Sequence, residues 1–262
     1  MKEVSMSGSV SFDRAAGYYD GTRSLTPEAQ QAVTDLLAGE LSGTGPTLEI
    51  GVGTGRIALP LHRAGTRITG IDLSRPMIDV LRAKNGGRAP FPLALADATR
   101  LPFTDDSFGG ALVCHVFHLI PTWTDAAAEL IRVIRPGGRV CLEVGNWGHD
   151  GWKLLQEHLA EEAGIPKRFP GVNSPEEVDE EFEGRGGATR VLPAIRDTKR
   201  FTYSQLLDSF ASGQWSWTWA AGAAVLRDAG ERTRVWAAAE FGDLDEEREH
   251  VLETSWRAYD LP

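Results

Sequence analysis

The chain has 262 residues, 42% hydrophobic and 24% charged, which is the balance of an ordinary globular protein. Its formal net charge of −10 disfavours a sequence-independent grip on nucleic acid or on an anionic membrane, because both rest on basic patches. Two cysteines, Cys114 and Cys141, each sit in an apolar strand-like run without zinc spacing or a disulfide framework, and read as buried thiols of a reducing compartment.

Met1 to Val10 is small and polar and has no apolar run of signal-peptide length. No window approaches the ~18–20 apolar residues of a membrane span, so the expectation is a soluble cytoplasmic protein. Ser11 to Arg23 mixes aromatics with charges and reads as an N-terminal helix lying over the core. Pro27 to Leu41 places Ala29, Ala32, Val33, Leu36 and Leu37 at helical spacing, and Gly43-Thr44-Gly45-Pro46 breaks that helix.

Thr47 to Ile50 is a short strand, and Gly51, Gly53 and Gly55 follow it at alternate positions, with a helix expected from Thr54 to Ala64. A glycine-rich turn between strand and helix is where an open α/β sheet binds a nucleotide-like ligand. Glycines let the backbone bend sharply and lie against the ligand, and the helix start offers free N–H groups. The pattern is G-x-G-x-G, and Arg56 stands where the third glycine of a dinucleotide fingerprint would be.

Arg67 to Ile71 reads as the second strand, ending in Asp72, with Ser74 as the N-cap of the next helix and Pro76 in its first turn. Asp72 lies 21 positions after Gly51, where a carboxylate accepts hydrogen bonds from both ribose hydroxyls of an adenosine. Leu73 and Met77 are placed to flank the adenine ring. Phe91 to Ala96 is a third strand, followed by Asp97-Ala98 and the run L-P-F-T-D-D-S-F at residues 101–108. Ala111 to His115 forms the fourth strand, with His115 and His118 at its carboxyl end, the edge that faces the ligand crevice. A histidine there could be a general base, but a packing or hydrogen-bonding histidine beside the cofactor is the favoured reading, and His115 is placed among the cofactor contacts. Asp125 to Ile134 is a helix stopped by Arg135-Pro136-Gly137-Gly138, and Arg139 to Val144 is a fifth strand. The alternation over 47–144 argues a parallel, doubly wound α/β sheet.

The later chain breaks this alternation. Trp152 to Ala163 is helical, Pro166 to Gly187 is rich in Gly, Pro and acids that read as a solvated face, Val191 to Thr202 is strand-like and Tyr203 to Ser212 helical. Trp215, Trp217 and Trp219 alternate, with Trp147 and Trp152 upstream; they suit either an acceptor pocket or ordinary core packing. Ala221 to Phe241 is helical, and Val251 to Leu261 reads as one terminal antiparallel strand.

Gly51, Gly53 and Gly55 with the acid Glu49 before them, the L-P-F-x-D-x-S-F run and E-L-I-R-V-I-R-P-G-G-R-V at 129–140 resemble, in order and spacing, the class I S-adenosylmethionine (SAM)-dependent methyltransferases of small molecules. One departure is Gly109, where the family commonly carries Asp. The resemblance implies a seven-stranded, mostly parallel Rossmann-like sheet with a helical cap inserted after strand five. It implies a lid over 1–45, a SAM-binding core over 46–146, a substrate cap over 147–220, and a helix and strand over 221–262 that complete the sheet. It further implies that Tyr18, Tyr19 and Arg23 close over the cofactor, with the Arg23 fork on the methionine carboxylate. Asp97 and Ala98 would meet the adenine, and His118 is the candidate base. The expected reaction moves a methyl group from SAM to a small-molecule O, N or C atom and leaves S-adenosylhomocysteine (SAH). Two other classes stay open: a SAM-binding protein that senses or runs another reaction, and an NAD(P)-dependent oxidoreductase. The acceptor and the oligomeric state are not legible.

Overall fold

In a computed structural model, residues 8–144, 150–166 and 168–262 are described; Trp147 lies outside them. The strands are β1 (Thr47–Ile50), β2 (Ile68–Asp72), β3 (Leu93–Leu95), β4 (Phe108–Val113), β5 (Ile134–Glu143), β6 (Ala188–Val191), β7 (Ile195–Phe201), β8 (Arg248–Thr254) and β9 (Trp256–Asp260). The helices begin with α1 (Tyr19–Arg23), α2 (Pro27–Glu40), α3 (Ala58–Arg63), α4 (Arg75–Lys84) and α5 (Trp123–Val133). They continue with α6 (Asp150–Glu162), α7 (Pro175–Gly184), α8 (Tyr203–Ala211) and α9 (Ala223–Phe241).

Seven strands form one sheet in the order β3-β2-β1-β4-β5-β9-β6. The first five pair in parallel, and β9 runs antiparallel to both β5 and β6. The strand order reverses between β1 and β4, which opens a crevice at the carboxyl ends of those strands. Both faces are covered, and the period of two along β4 sorts its side chains between them. Ala111 and Val113 pack with Leu130 of α5 and Phe182 of α7 on one face. Leu112 and Cys114 pack with Leu37 of α2 and Leu61 of α3 on the other.

The chain divides into two compact units, one of Met1–Gly145, Pro170–Ile195 and Ser255–Pro262 and one of Asn146–Phe169 and Arg196–Thr254. The first unit holds the seven-stranded sheet together with α7, so Pro170–Ile195 joins the sheet rather than the 147–220 stretch in which the sequence placed it. Helix α9 belongs to the second unit, whereas the sequence grouped it with the C-terminal strand. There, Trp152 and Trp215 pack edge-on at 5.2 Å, and both meet Phe210, which supports core packing for those two tryptophans.

Several elements depart from the sequence expectation for local reasons. The helix expected from Thr54 begins at Ala58, because Pro60 clashes with a helical carbonyl four residues back and must sit in the first turn. The N-terminal segment is a 3₁₀ turn, Asp13–Ala15, followed by the five-residue α1, in place of one helix. Val191–Thr202 is two strands, parted at Leu192-Pro193-Ala194, since proline interrupts a ladder. Val251–Leu261 is also two: β8 pairs with β7 in a separate two-stranded sheet, and only β9 joins the large sheet. The third strand shortens to Leu93–Leu95, although the Pro92 carbonyl still accepts the Gly70 N–H at 2.9 Å. The acids of 166–187 are not all solvated: Asp179 accepts the Tyr259 hydroxyl at 2.9 Å and pairs with Arg257.

The Gly109 departure has a steric cause. A Cβ there would lie 1.4 Å from the Thr44 backbone oxygen, so no other residue fits without moving that loop.

Candidate active site

A cavity opens at the carboxyl edge of the sheet, beside the β1/β4 reversal. Its floor is the glycine turn. Gly51, Gly53 and Gly55 take φ of +66°, +53° and +79°, a left-handed conformation that disfavours any residue with a Cβ. Gly51 and Gly53 lie on the cavity wall. Gly55 does not; its missing Cβ makes room for Leu59 and Leu81, each within 3.0 Å of where that atom would be.

Asp72 closes one side. Its carboxylate accepts the Gly53 N–H and the Ser74 N–H, each at 2.7 Å, so it is aimed by the turn itself. Burial pushes its pKa up to about 6, against the pull of the Ser74 and Gly53 N–H groups. Leu73, Met77 and Ala98 stand on the same wall as Asp72. Asp97 is not on the wall; its Oδ1 accepts from the Thr99 N–H at 2.9 Å and the Thr99 hydroxyl at 2.8 Å. Glu49 lies beneath, 2% exposed, and its Oε2 has no hydrogen-bond partner among the described residues. Burial raises its pKa to about 8; Arg56 opposes the rise and Asp72 adds to it.

The roof comes from the N-terminal segment. Ser9, Val10, Ser11, Phe12 and Tyr19 line the cavity. Asp20 pins this segment to the floor by accepting the Thr54 hydroxyl at 2.6 Å and pairing with Lys84 at 2.6 Å, while Lys84 donates to the Thr54 carbonyl at 2.9 Å. Burial lifts the Tyr19 hydroxyl to about 12, so it is a neutral donor. Arg23, at the end of α1, is off the wall, and burial lowers its pKa.

The far end of the cavity holds a buried polar chain that the sequence did not reveal. The Arg56 guanidinium donates to Cys114 Sγ at 3.0 Å, and the thiol donates to Glu143 Oε2 at 2.8 Å. His115 Nε2 reaches the same oxygen at 3.0 Å. Burial and the nearby Glu143 push the Cys114 thiol well above its ordinary value, which keeps it a donor. Burial also raises Glu143, while Arg56 and the thiol pull it down. His115 is pushed well below 6.5 by burial and by the Arg56 and Arg23 charges, so its imidazole is neutral. Cys114, His115 and Glu143 present ligand-type atoms within 4.8 Å of one another, but Arg56 already supplies the positive charge of this cluster. His118 is off the cavity wall, on the turn Phe117–Leu119, and burial with Arg23 lowers it to about 4.

Residues 48–142 match the family model described as a methyltransferase domain. That segment is similar to this family. The C-methyltransferase UbiE of ubiquinone and menaquinone biosynthesis from Desulfotalea psychrophila is 32% identical over 139 residues, 50% of this chain and 56% of that protein. The malonyl-[acyl-carrier protein] O-methyltransferase of Salmonella typhimurium is 32% identical over 131 residues, 50% of each chain. The chain thus spans about half the length of these curated relatives. Among solved structures, the YcgJ protein of Bacillus subtilis superposes with a TM-score of 0.61 at 18% identity, over 88% of this chain and 99% of that one. The seven-stranded sheet is the class I methyltransferase fold, as expected from the sequence. Among the described residues no helix is long and apolar enough to cross a membrane.

Proposed function

We propose that this protein transfers the methyl group of SAM to a small-molecule acceptor. The observation that carries the reading is the junction of Asp72 with the glycine turn: a carboxylate at the end of β2, held by the Gly53 N–H at 2.7 Å, faces one cavity with a bare backbone floor. Gly53 leaves that floor open, since a Cβ there would stand 3.2 Å from Met77 Cε and 4.0 Å from Asp72 Oδ2.

SAM supplies a methyl group already activated on a sulfonium, so the protein's work is positioning. Asp72 takes the ribose hydroxyls. Leu73, Met77 and Ala98 bracket the adenine. The N–H groups of the turn meet the methionine carboxylate. The segment from Ser9 to Tyr19 excludes water. The acceptor then stands at the Cys114–His115 end.

Purified protein incubated with methyl-labelled SAM and a panel of phenols, alcohols and amines tests this reading. Label in a panel compound with equimolar SAH is the expected result. A panel compound transformed without SAH would overturn methyl transfer in favour of another reaction on this scaffold.

A further inference from the structure

Three successive carbonyls of one turn are each taken by a backbone N–H from elsewhere in the chain. The turn is Phe117–Leu119, a 3₁₀ turn after β4, and Val116, Leu119 and Ile120 stand on the cavity wall. The Leu119 carbonyl accepts the Val10 N–H of the roof at 3.1 Å. The His118 carbonyl accepts the Gly171 N–H at 3.1 Å, and the Phe117 carbonyl the Val172 N–H at 3.3 Å. Neither Gly171 nor Val172 is on the wall. Backbone carbonyls that leave water need such partners, and here two segments far apart in sequence share the task. The chain reaches the turn through His115 at φ +57°, a sparsely populated conformation for a non-glycine residue that the surrounding structure must hold.

Gly171 is required by close approach and not by backbone angle. Its φ lies outside the left-handed region, yet a Cβ there would stand 2.0 Å from the Phe117 carbonyl oxygen and 2.5 Å from that of Ile120. Backbone atoms do not yield as the tips of side chains do, so the glycine and the turn fix each other's place. Asn173 steadies the segment by donating its side-chain amide to the Gly171 carbonyl at 2.6 Å. We infer that Gly171 is a positioning residue of the ligand site. It sets where the turn presents Leu119 and Ile120 to the cavity, and where the turn offers the Leu119 carbonyl to the roof. Wall and roof docking point therefore move together. A Cβ at position 171 forces a displacement of about 1 Å to reach an ordinary contact, and a misplacement of that size away from the chemistry can cost an enzyme ~100-fold. The effect on SAM rests on the methyl-transfer reading above, whereas the link between Gly171 and the roof does not.

Amide hydrogen exchange of the whole protein, read by NMR without ligand, tests the link. Gly171→Ala should speed exchange at Val10 by about tenfold or more. The Ala96 amide, bonded to the Asp72 carbonyl at 3.0 Å at another part of the same wall, should stay within about twofold of wild type. Asn173→Ala leaves the backbone contacts in place and should give a smaller acceleration with the same pattern; it decides the question if Gly171→Ala does not fold. No acceleration at Val10, or equal acceleration at Val10 and Ala96, would overturn the proposal, since general loosening would move both amides. Calorimetry with SAH then reads the site: folded Gly171→Ala should bind about tenfold or more weakly. Affinity within about twofold of wild type would overturn the positioning role. A wild type that binds no SAH, with Val10 exchange still answering to Gly171, would instead overturn the methyl-transfer reading.

Discussion

The Asp72 carboxylate accepts the Gly53 N–H at 2.7 Å, which ties the end of β2 to the turn after β1. The same carboxylate is the group that would hold the ribose, so turn geometry and ligand recognition share one side chain. Asp72→Ala should weaken SAH binding by about 1.5–3 kcal/mol, the scale of a lost charged hydrogen bond, or roughly 10- to 150-fold. Calorimetry measures this; unchanged affinity would remove Asp72 from the cofactor site.

Asp20 joins the roof to the floor through Thr54 and Lys84. Asp20→Ala should loosen the N-terminal segment at a cost of about 1 kcal/mol, because the pair is partly exposed. Limited proteolysis with SAH bound should cut this variant before Pro27 several-fold faster than the wild type. Equal rates would mean that the roof is held by other contacts.

Two glycines make a contrast in stability. A Cβ at Gly109 would strike the Thr44 carbonyl oxygen at 1.4 Å, whereas nothing lies within 4 Å of a Cβ at Gly39, on the exposed side of α2. Gly109→Ala should lower the thermal midpoint by many degrees or abolish folding, and Gly39→Ala should raise stability by about 0.5 kcal/mol. Similar midpoints for the two would contradict the close approach of the loop before β1 to β4.

These contrasts show what the sequence held. The three glycines of the turn were legible because their backbone angles leave little alternative, and Asp72 because a strand end fixes its place. The L-P-F-x-D-x-S-F run located β4 but not the reason for Gly109, which depends on a loop some 65 residues earlier passing within van der Waals range. The chain Arg56–Cys114–Glu143–His115 was not legible either. Its members come from the turn after β1 and from the ends of β4 and β5, and no local spacing links them. Cys114 and Glu143 carried one usable signal, their position at the carboxyl ends of strands that face the crevice. The split of Val251–Leu261 was hidden because alternation continues through Ser255, and a period of two does not say which sheet a strand joins.

Glu49 gives the fold a pH dependence of definite sign. Its pKa rises from 4.5 to about 8 on folding, so the folded state binds more protons than the unfolded chain across that interval. Stability from this group is therefore full below about pH 4.5 and is lost as pH rises toward 8. Asp72 adds in the same direction between 3.8 and about 6. His115 and His118, lowered below 6.5 by burial, act in the opposite direction up to that pH. Denaturant unfolding from pH 6.5 to 8 should therefore show declining stability, and Glu49→Gln should flatten the decline; an unchanged slope would mean that Glu49 is ionised in the fold.

The central claim is an adenosine-and-methionine site built on Asp72 and the glycine turn, and calorimetric titration of the whole protein with SAH, with NADH in parallel, tests it most directly. The account predicts SAH binding with a Kd on the order of micromolar and no heat from NADH. Binding of NADH alone, or of neither ligand, would contradict it.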